Sequence, residues 1–284
     1  MDRKLLIAAG IVTYNPDIKQ LENTVDRILK ETDLLFIADN GSDSVEEIRR
    51  ICKGRAHLLA FPENRGIACA LNAIMKGAKA KGASWVLTLD DDSDLPDGMI
   101  EALFSCTKEA DVAIVCPRAF DVNAGEEVKA AFHETEGEIA EVDQCITSGA
   151  LTSVEAWERV GGYDDYLFID MVDFDFCHLV REAGYRILKN NRVTLPHAIG
   201  RTEVRRFLFM KVHVMNHSAM RKYYMTRNRI YCAYKHTGRM GFRNLFGILK
   251  ALVLILCYET DKRAKITAVL RGLRDGIRAR RRVL

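Results

Sequence analysis

Several aspartates follow one apolar segment of the 284-residue sequence. Residues 85–89 have the composition of a buried strand, Asp90, Asp91 and Asp92 come directly after it, and Asp94 lies two residues further on. Carboxylates two residues apart on a loop can ligate one hard divalent cation, whereas adjacent carboxylates without a counter-ion repel one another and take up protons. The pattern favours a cation site. A solvated acidic turn, or the cap of the following helix, is the alternative interpretation.

Ligand-binding residue types also follow three other predicted strands. They are Thr13, Tyr14 and Asn15 after the first strand, Asp39 after the second, and Asn64 and Gly66 after the third. Gly66 also precedes a predicted helix, and a helix N-terminus favours a phosphate group. Asp39 by itself is equally consistent with an Asx turn. The sequence has no GxGxxG or P-loop pattern, which disfavours dinucleotide and Walker-type nucleotide binding.

Alternating strand and helix patterns position these residues. Strands are predicted at 5–13, 34–38, 57–61, 85–89 and 112–116, and helices at 17–30, 45–52, 67–81 and 96–106. This alternation predicts an α/β fold with a mainly parallel sheet and flanking helices. In such sheets ligands bind outside the carboxyl ends of the strands, where all four polar clusters fall.

A second acidic group lies in the segment 168–176. Asp170, Asp173 and Asp175 alternate there with apolar residues, at the start of a predicted helix. Acidic residues at a helix start are ordinary partners of the helix dipole. The apolar neighbours nevertheless indicate a partly desolvated carboxylate, which is the setting of a general base. His197 is consistent with a turn histidine or, beside a carboxylate site, with a metal ligand.

Charge divides the sequence into an acidic body and a basic tail. Residues 1–198 contain 21 Lys and Arg against 35 Asp and Glu, and residues 199–284 contain 21 against 4. The tail is predicted to be helical, and its apolar segment 245–258 is too short to span a bilayer. It either packs on the body or on a second subunit, or lies on an anionic membrane surface. Eight cysteines without a CxxC pair suit a reducing cytoplasm.

Seven short motifs occur in one order along most of the chain. They are IVTYNPD, ADNGS, NRGIACALN, LTLDDDSDL, SGAL, the long segment GGYDDYLFIDMVDFDFCHLVREAGYRI, and PHAIG. Together they resemble the inverting family 2 glycosyltransferases of the GT-A fold, closest to the bacterial rhamnosyltransferase branch. The resemblance covers about residues 5–235. It implies a GT-A, Rossmann-like catalytic domain at 1–200, with a nucleotide-sugar half at 1–117 and an acceptor half at 118–200, and a basic helical region at 201–284.

The resemblance also implies a role for each candidate residue. Donor-binding positions are Thr13, Tyr14, Asn15, Asp39, Asn64, Gly66, Asp90 and Asp91, of which Asp39 contacts the pyrimidine. Asp90, Asp92 and His197 would hold Mg²⁺ or Mn²⁺. Asp173 would be the general base, with Asp170 and Asp175 as second choices.

The implied reaction transfers a sugar from a dTDP- or UDP-linked donor to a glycan or lipid-linked acceptor, with inversion at the anomeric carbon. The best expectation for the sugar is rhamnose, from dTDP-rhamnose. Such an enzyme would make surface polysaccharide in the cytoplasm, either free or peripheral on the inner face of the membrane, and as a monomer or a homo-oligomer. The alternatives are a metal-dependent nucleotidyltransferase or phosphatase on a similar sheet, or a nucleic-acid binder acting through the tail. The acidic body argues against nucleic acid as a partner.

Overall fold

A computed structural model of the chain describes residues 6–32, 34–121, 126–127, 137–197, 203–207 and 210–282. These residues form two compact units. The first contains the described residues up to 166 together with 172–197. The second contains the short segment 167–171 together with the described residues from 203 to 282.

Strands and helices alternate through the first unit. They are β1 (Ile7–Thr13), α1 (Ile18–Ile28), β2 (Leu35–Asp39), α2 (Val45–Cys52), β3 (His57–Ala60), α3 (Ile67–Ala80), β4 (Trp85–Asp90), α4 (Met99–Phe104), β5 (Val112–Asp121), β6 (Glu126–Glu127), β7 (Ile139–Glu141), β8 (Ala150–Ser153), α5 (Val154–Arg159), α6 (Val172–Glu182) and β9 (Arg186–His197), with a 3₁₀ turn at Asp165–Leu167.

Local sequence explains why these elements form. The residues of β2 are all buried, as expected for a central strand that is covered on both faces. Helix α1 begins after Asp17, whose carboxylate accepts a hydrogen bond from the Gln20 N–H at 2.9 Å. Its apolar side chains Leu21, Val25 and Ile28 recur at intervals of three and four and are fully buried against the sheet core.

The first unit is built on one mixed sheet. Its strand order is β3-β2-β1-β4-β8-β5-β9-β7, and β6 pairs with β5. Strands β3, β2, β1 and β4 are parallel, as are β5 and β9, whereas β8 is antiparallel to β4 and β5. The register places Thr13 opposite Asp39 and Val12 opposite Asp90. The carboxyl ends of these strands therefore meet at one edge, as the alternation of elements predicted.

The second unit begins with a hairpin that the sequence pattern did not predict. Strands β10 (Glu203–Phe207) and β11 (Met210–Val214) pair antiparallel where helix was expected after about residue 200. The pairing of these two strands is a tertiary feature that the local sequence pattern did not reveal. Three helices follow, as predicted: α7 (Ala219–Thr237), α8 (Phe242–Tyr258) and α9 (Lys262–Ala279). A short 3₁₀ turn, Arg280–Arg282, comes after them.

A buried ion cluster joins the helices of the second unit. The carboxylate of Glu259, which follows α8, accepts from the Lys222 ammonium of α7 at 2.6 Å and from the Lys265 ammonium of α9 at 3.0 Å. All three side chains are nearly inaccessible to solvent. Removing one member would leave buried charge unpaired, so the cluster ties α7 to α9. None of the described helices combines the length and the apolarity that a bilayer span requires.

Candidate active site

The loops after β1 and β2 are bonded to each other. The Thr13 hydroxyl donates to an Asp39 carboxylate oxygen at 3.0 Å. Asn15 has a left-handed backbone with φ of 51°. Its N–H donates to the Ser42 hydroxyl at 2.7 Å, and its side-chain oxygen accepts from the Asp43 N–H at 2.9 Å. These bonds leave the Tyr14 ring 54% exposed beside the two loops, where an aromatic face can stack on a base.

Asp39 is fully buried and organises the second loop. Besides Thr13, the N–H of Ser42 donates to its carboxylate at 3.0 Å, and the Ser42 hydroxyl forms a further short hydrogen bond with it. The geometry is close to the Asx-type turn that the sequence left open, with both oxygens engaged within the protein. The pyrimidine contact implied for Asp39 stays a prediction, and it would require the carboxylate to exchange or share these bonds.

The third loop is bonded to the second through Asn40. The Asn40 amide donates to the Gly66 carbonyl at 3.2 Å, and its oxygen accepts from the Arg65 N–H at 3.3 Å. Asn64 accepts from the Gly66 N–H at 2.9 Å. Gly66 has φ of 87°, a conformation that favours glycine, and it directly precedes α3. The α3 N-terminus has no side-chain cap, so its N–H groups suit an anionic group.

Gly41 lets these two loops approach closely. Its φ is +78°, and a Cβ at this position would lie 2.8 Å from backbone atoms of Glu63 in the third loop. Any other residue would therefore strain the backbone and collide with a neighbouring main chain. This close contact gives a structural reason for the glycine of the ADNGS motif.

The acidic run lies at the end of β4. Asp90 and Asp91 are half-buried, whereas Asp92 is exposed. Burial, with a further contribution from the charges of Asp92 and Asp90, raises the pKa of the Asp91 carboxyl to about 6. Backbone N–H groups of Asp91 itself and of Tyr14 donate to this carboxyl and partly offset the rise. The acidic loop is therefore next to the first loop, and its middle carboxyl has the raised pKa expected of a partly buried group beside two like charges.

Two buried serines hold the acidic loop by hydrogen bonds. The Ser93 and Ser148 hydroxyls are 2.9 Å apart, and the Ser148 hydroxyl also lies 3.4 Å from the backbone nitrogen of Asp90. Ser148 belongs to the SGAL motif, whose role the sequence left unassigned. Its function in the fold is to hold the loop that carries the carboxylates.

Asn72 of α3 links the helix to the segment before α6, a role that the sequence did not reveal. Its side-chain oxygen accepts from the Trp157 indole N–H at 3.0 Å and from the Tyr163 N–H at 2.9 Å. Its amide donates to the Tyr163 carbonyl and to the Asp165 carboxylate, both at 2.7 Å. An asparagine in the middle of an Ala-rich helix was the one available signal, because asparagine is a poor helix former.

Asp173 and Asp175 lie in the first turn of α6. Asp175 is buried, whereas Asp173 is half-buried and accepts from the Phe174 N–H at 2.9 Å. Asp173 borders a small apolar cavity together with Tyr163 and Cys177. Burial raises the pKa of the Tyr163 hydroxyl, and the negative charge of Asp173 adds to the rise. Of the two aspartates in this turn, Asp173 is the one that is partly accessible to solvent.

Asp170 belongs to the second unit and has a different environment. One carboxylate oxygen is paired with Arg221 of α7, with N–O distances of 3.2 and 3.3 Å, and the other is buried. Burial raises the pKa of Asp170, and Arg221 partly offsets the rise. Phe168, Asp170 and Met171 all have positive φ. The Asn228 amide stabilises this strained segment by donating to the carbonyls of residues 167, 169 and 170 at 2.6–2.9 Å.

The structure thus gathers the donor-side candidates at one sheet edge. Bonds between Thr13 and Asp39, between the second and third loops, and between Asp91 and Tyr14 connect all four loops. Asp170 belongs to the second unit, and its catalytic role stays a prediction. His197 is the last residue of β9, and its side chain lies outside the described part of the structure.

Residues 9–152 match the model of the family described as Glycosyl transferase family 2. A protein of Shigella flexneri named dTDP-rhamnosyl transferase RfbF is 27% identical over 287 residues, covering 96% of this chain and 95% of that protein. Among solved structures, GalNAc-T7 with UDP, GalNAc and Mn²⁺ has a TM-score of 0.63 at 13% identity, over 98% of this chain and 57% of its own. S. aureus TarS 1–349 in complex with UDP-GlcNAc has a TM-score of 0.61 at 14% identity, over 97% of this chain and 81% of its own. These likenesses confirm the predicted GT-A type of fold.

Proposed function

Because the chain belongs to glycosyl transferase family 2, and is therefore a glycosyltransferase that uses a nucleotide sugar, we propose that it transfers rhamnose from dTDP-rhamnose to a glycan or lipid-linked acceptor. The product would be part of a surface polysaccharide. The observation that carries the proposal is the bonding of four loops into one polar sheet edge. The similarity to a protein named as a dTDP-rhamnosyl transferase along nearly the whole of both chains supports the choice of donor.

The donor would bind along this edge. The exposed Tyr14 ring offers a stacking surface for the pyrimidine, and the uncapped N-terminus of α3 at Gly66 offers N–H groups to the diphosphate. Asp90, Asp91 and Asp92 form a donor set of hard oxygen atoms, which fits Mg²⁺ or Mn²⁺. When bound there, such a cation offsets the charge that develops on the departing diphosphate. Burial is the main cause of the raised pKa of Asp91, and the charges of Asp92 and Asp90 add to it, as expected for carboxylates gathered without a counter-ion.

Asp90 and Asp92 are the proposed cation ligands, with His197 as a third. Their placement differs in a useful way, since Asp90 ends β4 and is half-buried whereas Asp92 is exposed to an incoming ligand. A half-buried carboxylate and an accessible one suit a site that must form around a diphosphate.

Asp173 is the proposed general base. In this role it takes the proton from the acceptor hydroxyl while the oxygen attacks the anomeric carbon opposite the diphosphate, which inverts the configuration. Its half-buried carboxylate at the start of α6 supports this role over Asp175, which is buried. Pairing with Arg221 disfavours Asp170 as the base, because one carboxylate oxygen is engaged with the guanidinium group and the other is buried.

Two substitutions test the proposal separately on donor and acceptor sides. Asp173→Asn should lower sugar transfer by about 10²- to 10⁴-fold, the usual contribution of a general base, without weakening donor binding. Asp92→Asn should remove the Mn²⁺-dependent rise in melting temperature that dTDP-rhamnose produces in the wild type. Asp97→Asn, an exposed carboxylate seven residues after Asp90, is the matched control and should change neither quantity.

Donor choice and stereochemistry are measured on the same material. dTDP-rhamnose should raise the melting temperature more than UDP-linked sugars do at equal concentration, and NMR of the product should show an inverted anomeric centre. Near-normal transfer by Asp173→Asn would remove that residue from the mechanism. A larger stabilisation by UDP-GlcNAc would exclude rhamnose as the donor sugar.

The cytoplasm is the proposed compartment. All eight cysteines are free thiols, including Cys145 and Cys177, whose sulfur atoms are only 3.7 Å apart. Thiols at this separation remain reduced most readily in a reducing compartment.

A further inference from the structure

Helix α8 presents an exposed apolar face. Its most exposed side chain, Phe242, is 82% accessible, and Phe246 is 60% accessible. The other large exposed residues of the helix share this face, because each lies close to a whole number of helical turns after Phe242. They are Leu245, Leu249 and Leu256, at 3, 7 and 14 positions. A cluster of five large apolar side chains on one helix is not the scattered exposure of an ordinary surface, and it indicates an interaction site.

A different face of α8 packs inside the second unit. Ile248 and Ile255 are buried with Ile230 of α7 and Val269 of α9. The exposed residues are therefore not a poorly packed core face, since the helix already has one. The two faces are adjacent around the helix, so α8 lies on the surface of its unit with a second apolar stripe left uncovered.

The charges around the stripe have one sign. Helix α8 contains no acidic residue, and its two basic residues, Arg243 and Lys250, lie seven positions apart beside the apolar stripe, both exposed. Within the described residues neither forms an ion pair with a carboxylate. From 242 to 282 the sequence has 11 basic residues against 3 acidic ones. Two of the three acidic residues, Glu259 and Asp275, are already paired with basic side chains.

We propose that this stripe, formed by Phe242, Leu245, Phe246, Leu249 and Leu256, docks on the surface of an anionic lipid bilayer. The apolar side chains would enter the headgroup boundary, and Arg243 and Lys250 would meet the anionic headgroups beside it. Helix α8 would lie in the plane of the membrane, because it is not a membrane span. The inference rests on the proposed function in one respect: a lipid-linked acceptor would be presented at such a surface.

Charge favours lipid over a second copy of the chain. Pairing two such stripes would bring two basic flanks together without a carboxylate from α8 on either side, and the repulsion would weaken the dimer. An anionic bilayer offers the complementary charge across the whole surface.

Co-sedimentation with vesicles tests the proposal without any sugar transfer. The full-length chain should bind phosphatidylcholine vesicles that contain about 30% phosphatidylglycerol, and should bind pure phosphatidylcholine much more weakly. The double variant Phe242→Ser/Phe246→Ser should lose about tenfold or more in partitioning to the anionic vesicles. Arg243→Gln/Lys250→Gln should lose binding that is sensitive to salt, because screening acts on exposed charges.

Met220→Ser is the matched control, since Met220 is a 56% exposed apolar residue on α7. It should bind vesicles as the wild type does, and all variants should keep the wild-type melting temperature and rate of donor turnover. Equal sedimentation of the wild type and the Phe242→Ser/Phe246→Ser variant would overturn the proposal. So would a dimer in sedimentation equilibrium that these two substitutions dissociate, or binding of the wild type to RNA in preference to vesicles. If the wild type bound anionic vesicles as expected but did not turn over dTDP-rhamnose, the proposed reaction alone would be refuted.

Discussion

Replacing Asn72 by Leu tests how strongly α3 is bound to the segment before α6. Leucine has a similar volume and cannot form the four hydrogen bonds of the asparagine. Three groups would then be buried without a partner: the Trp157 indole N–H and the Tyr163 N–H and carbonyl. Trp157 and Tyr163 are 7% and 4% exposed, so water replaces few of the lost bonds. The Asp165 carboxylate is exposed and can be hydrated.

Each buried polar group left unsatisfied costs about 1 to 3 kcal/mol. Better burial of an apolar side chain offsets part of the total, so we expect the free energy of unfolding to fall by about 3 to 5 kcal/mol. This is a large share of the about 5 to 15 kcal/mol that a typical domain has. The variant should fold only marginally at 25 °C and should melt well below the wild type.

Urea unfolding followed by circular dichroism measures the change, with Asn23→Leu on the exposed side of α1 as the control. The control should lie within about 0.5 kcal/mol of the wild type, as expected for a surface site. Transfer assays below the melting temperature add a second readout. A fall in kcat with unchanged KM for the donor would indicate that Asn72 positions the acceptor side. A loss of less than about 1 kcal/mol would refute the claim that these bonds hold the two elements together.

Three further predictions concern charge and backbone. Because burial raises the pKa of Asp91 to about 6 and the unfolded carboxyl titrates near 4, the charged form destabilises the fold progressively as pH rises between these values. In the presence of EDTA, Asp91→Asn should therefore raise the free energy of unfolding by about 1 to 2 kcal/mol at pH 8, after allowance for solvent screening. At pH 4 the same substitution should hardly change the free energy of unfolding. An equal effect at both pH values would contradict this. Gly41→Ala should lower the free energy of unfolding in urea by about 2 to 3 kcal/mol, because of backbone strain and a collision with a neighbouring main chain. Gly54, with φ of +70° and open space around it, is the control, and Gly54→Ala should cost about 1 kcal/mol. Equal losses would refute the collision. Glu259→Gln should cost about 3 to 5 kcal/mol by leaving two buried ammonium groups uncompensated, and a melting temperature equal to that of the wild type would show that the cluster is hydrated.

Most elements of the parallel half of the sheet could be predicted from periodicity. The helix at 45–52 agrees with α2 at both ends, and α3 ends one residue before the predicted limit. Strand β5 was predicted to end at 116 but continues to Asp121, because it pairs with β9 over its length. Pairing partners far along the chain decide where such a strand ends, and a local pattern cannot contain them. The hairpin β10–β11 was missed for the same reason.

In the candidate site, too, local features could be predicted and long-range contacts could not. The residue types after β1, β2, β3 and β4 were readable, because polar residues at strand ends are a local feature. The roles of Asn72, Ser148 and Asn228 were not, since each acts through partners 55 to 93 residues away. A buried hydrogen-bonding asparagine and a solvated one are identical in a sequence.

The order of motifs and the alternation of apolar segments determined the fold class, the sheet edge that carries the polar loops and the family to which the chain belongs. These properties depend on local propensity and on the rule that parallel strands share one carboxyl edge. Only the tertiary structure decided which carboxylates are accessible, which are bonded within the protein and which helix face stays uncovered. Burial and hydrogen bonding depend on what packs against a side chain, and that neighbour is chosen by the whole fold.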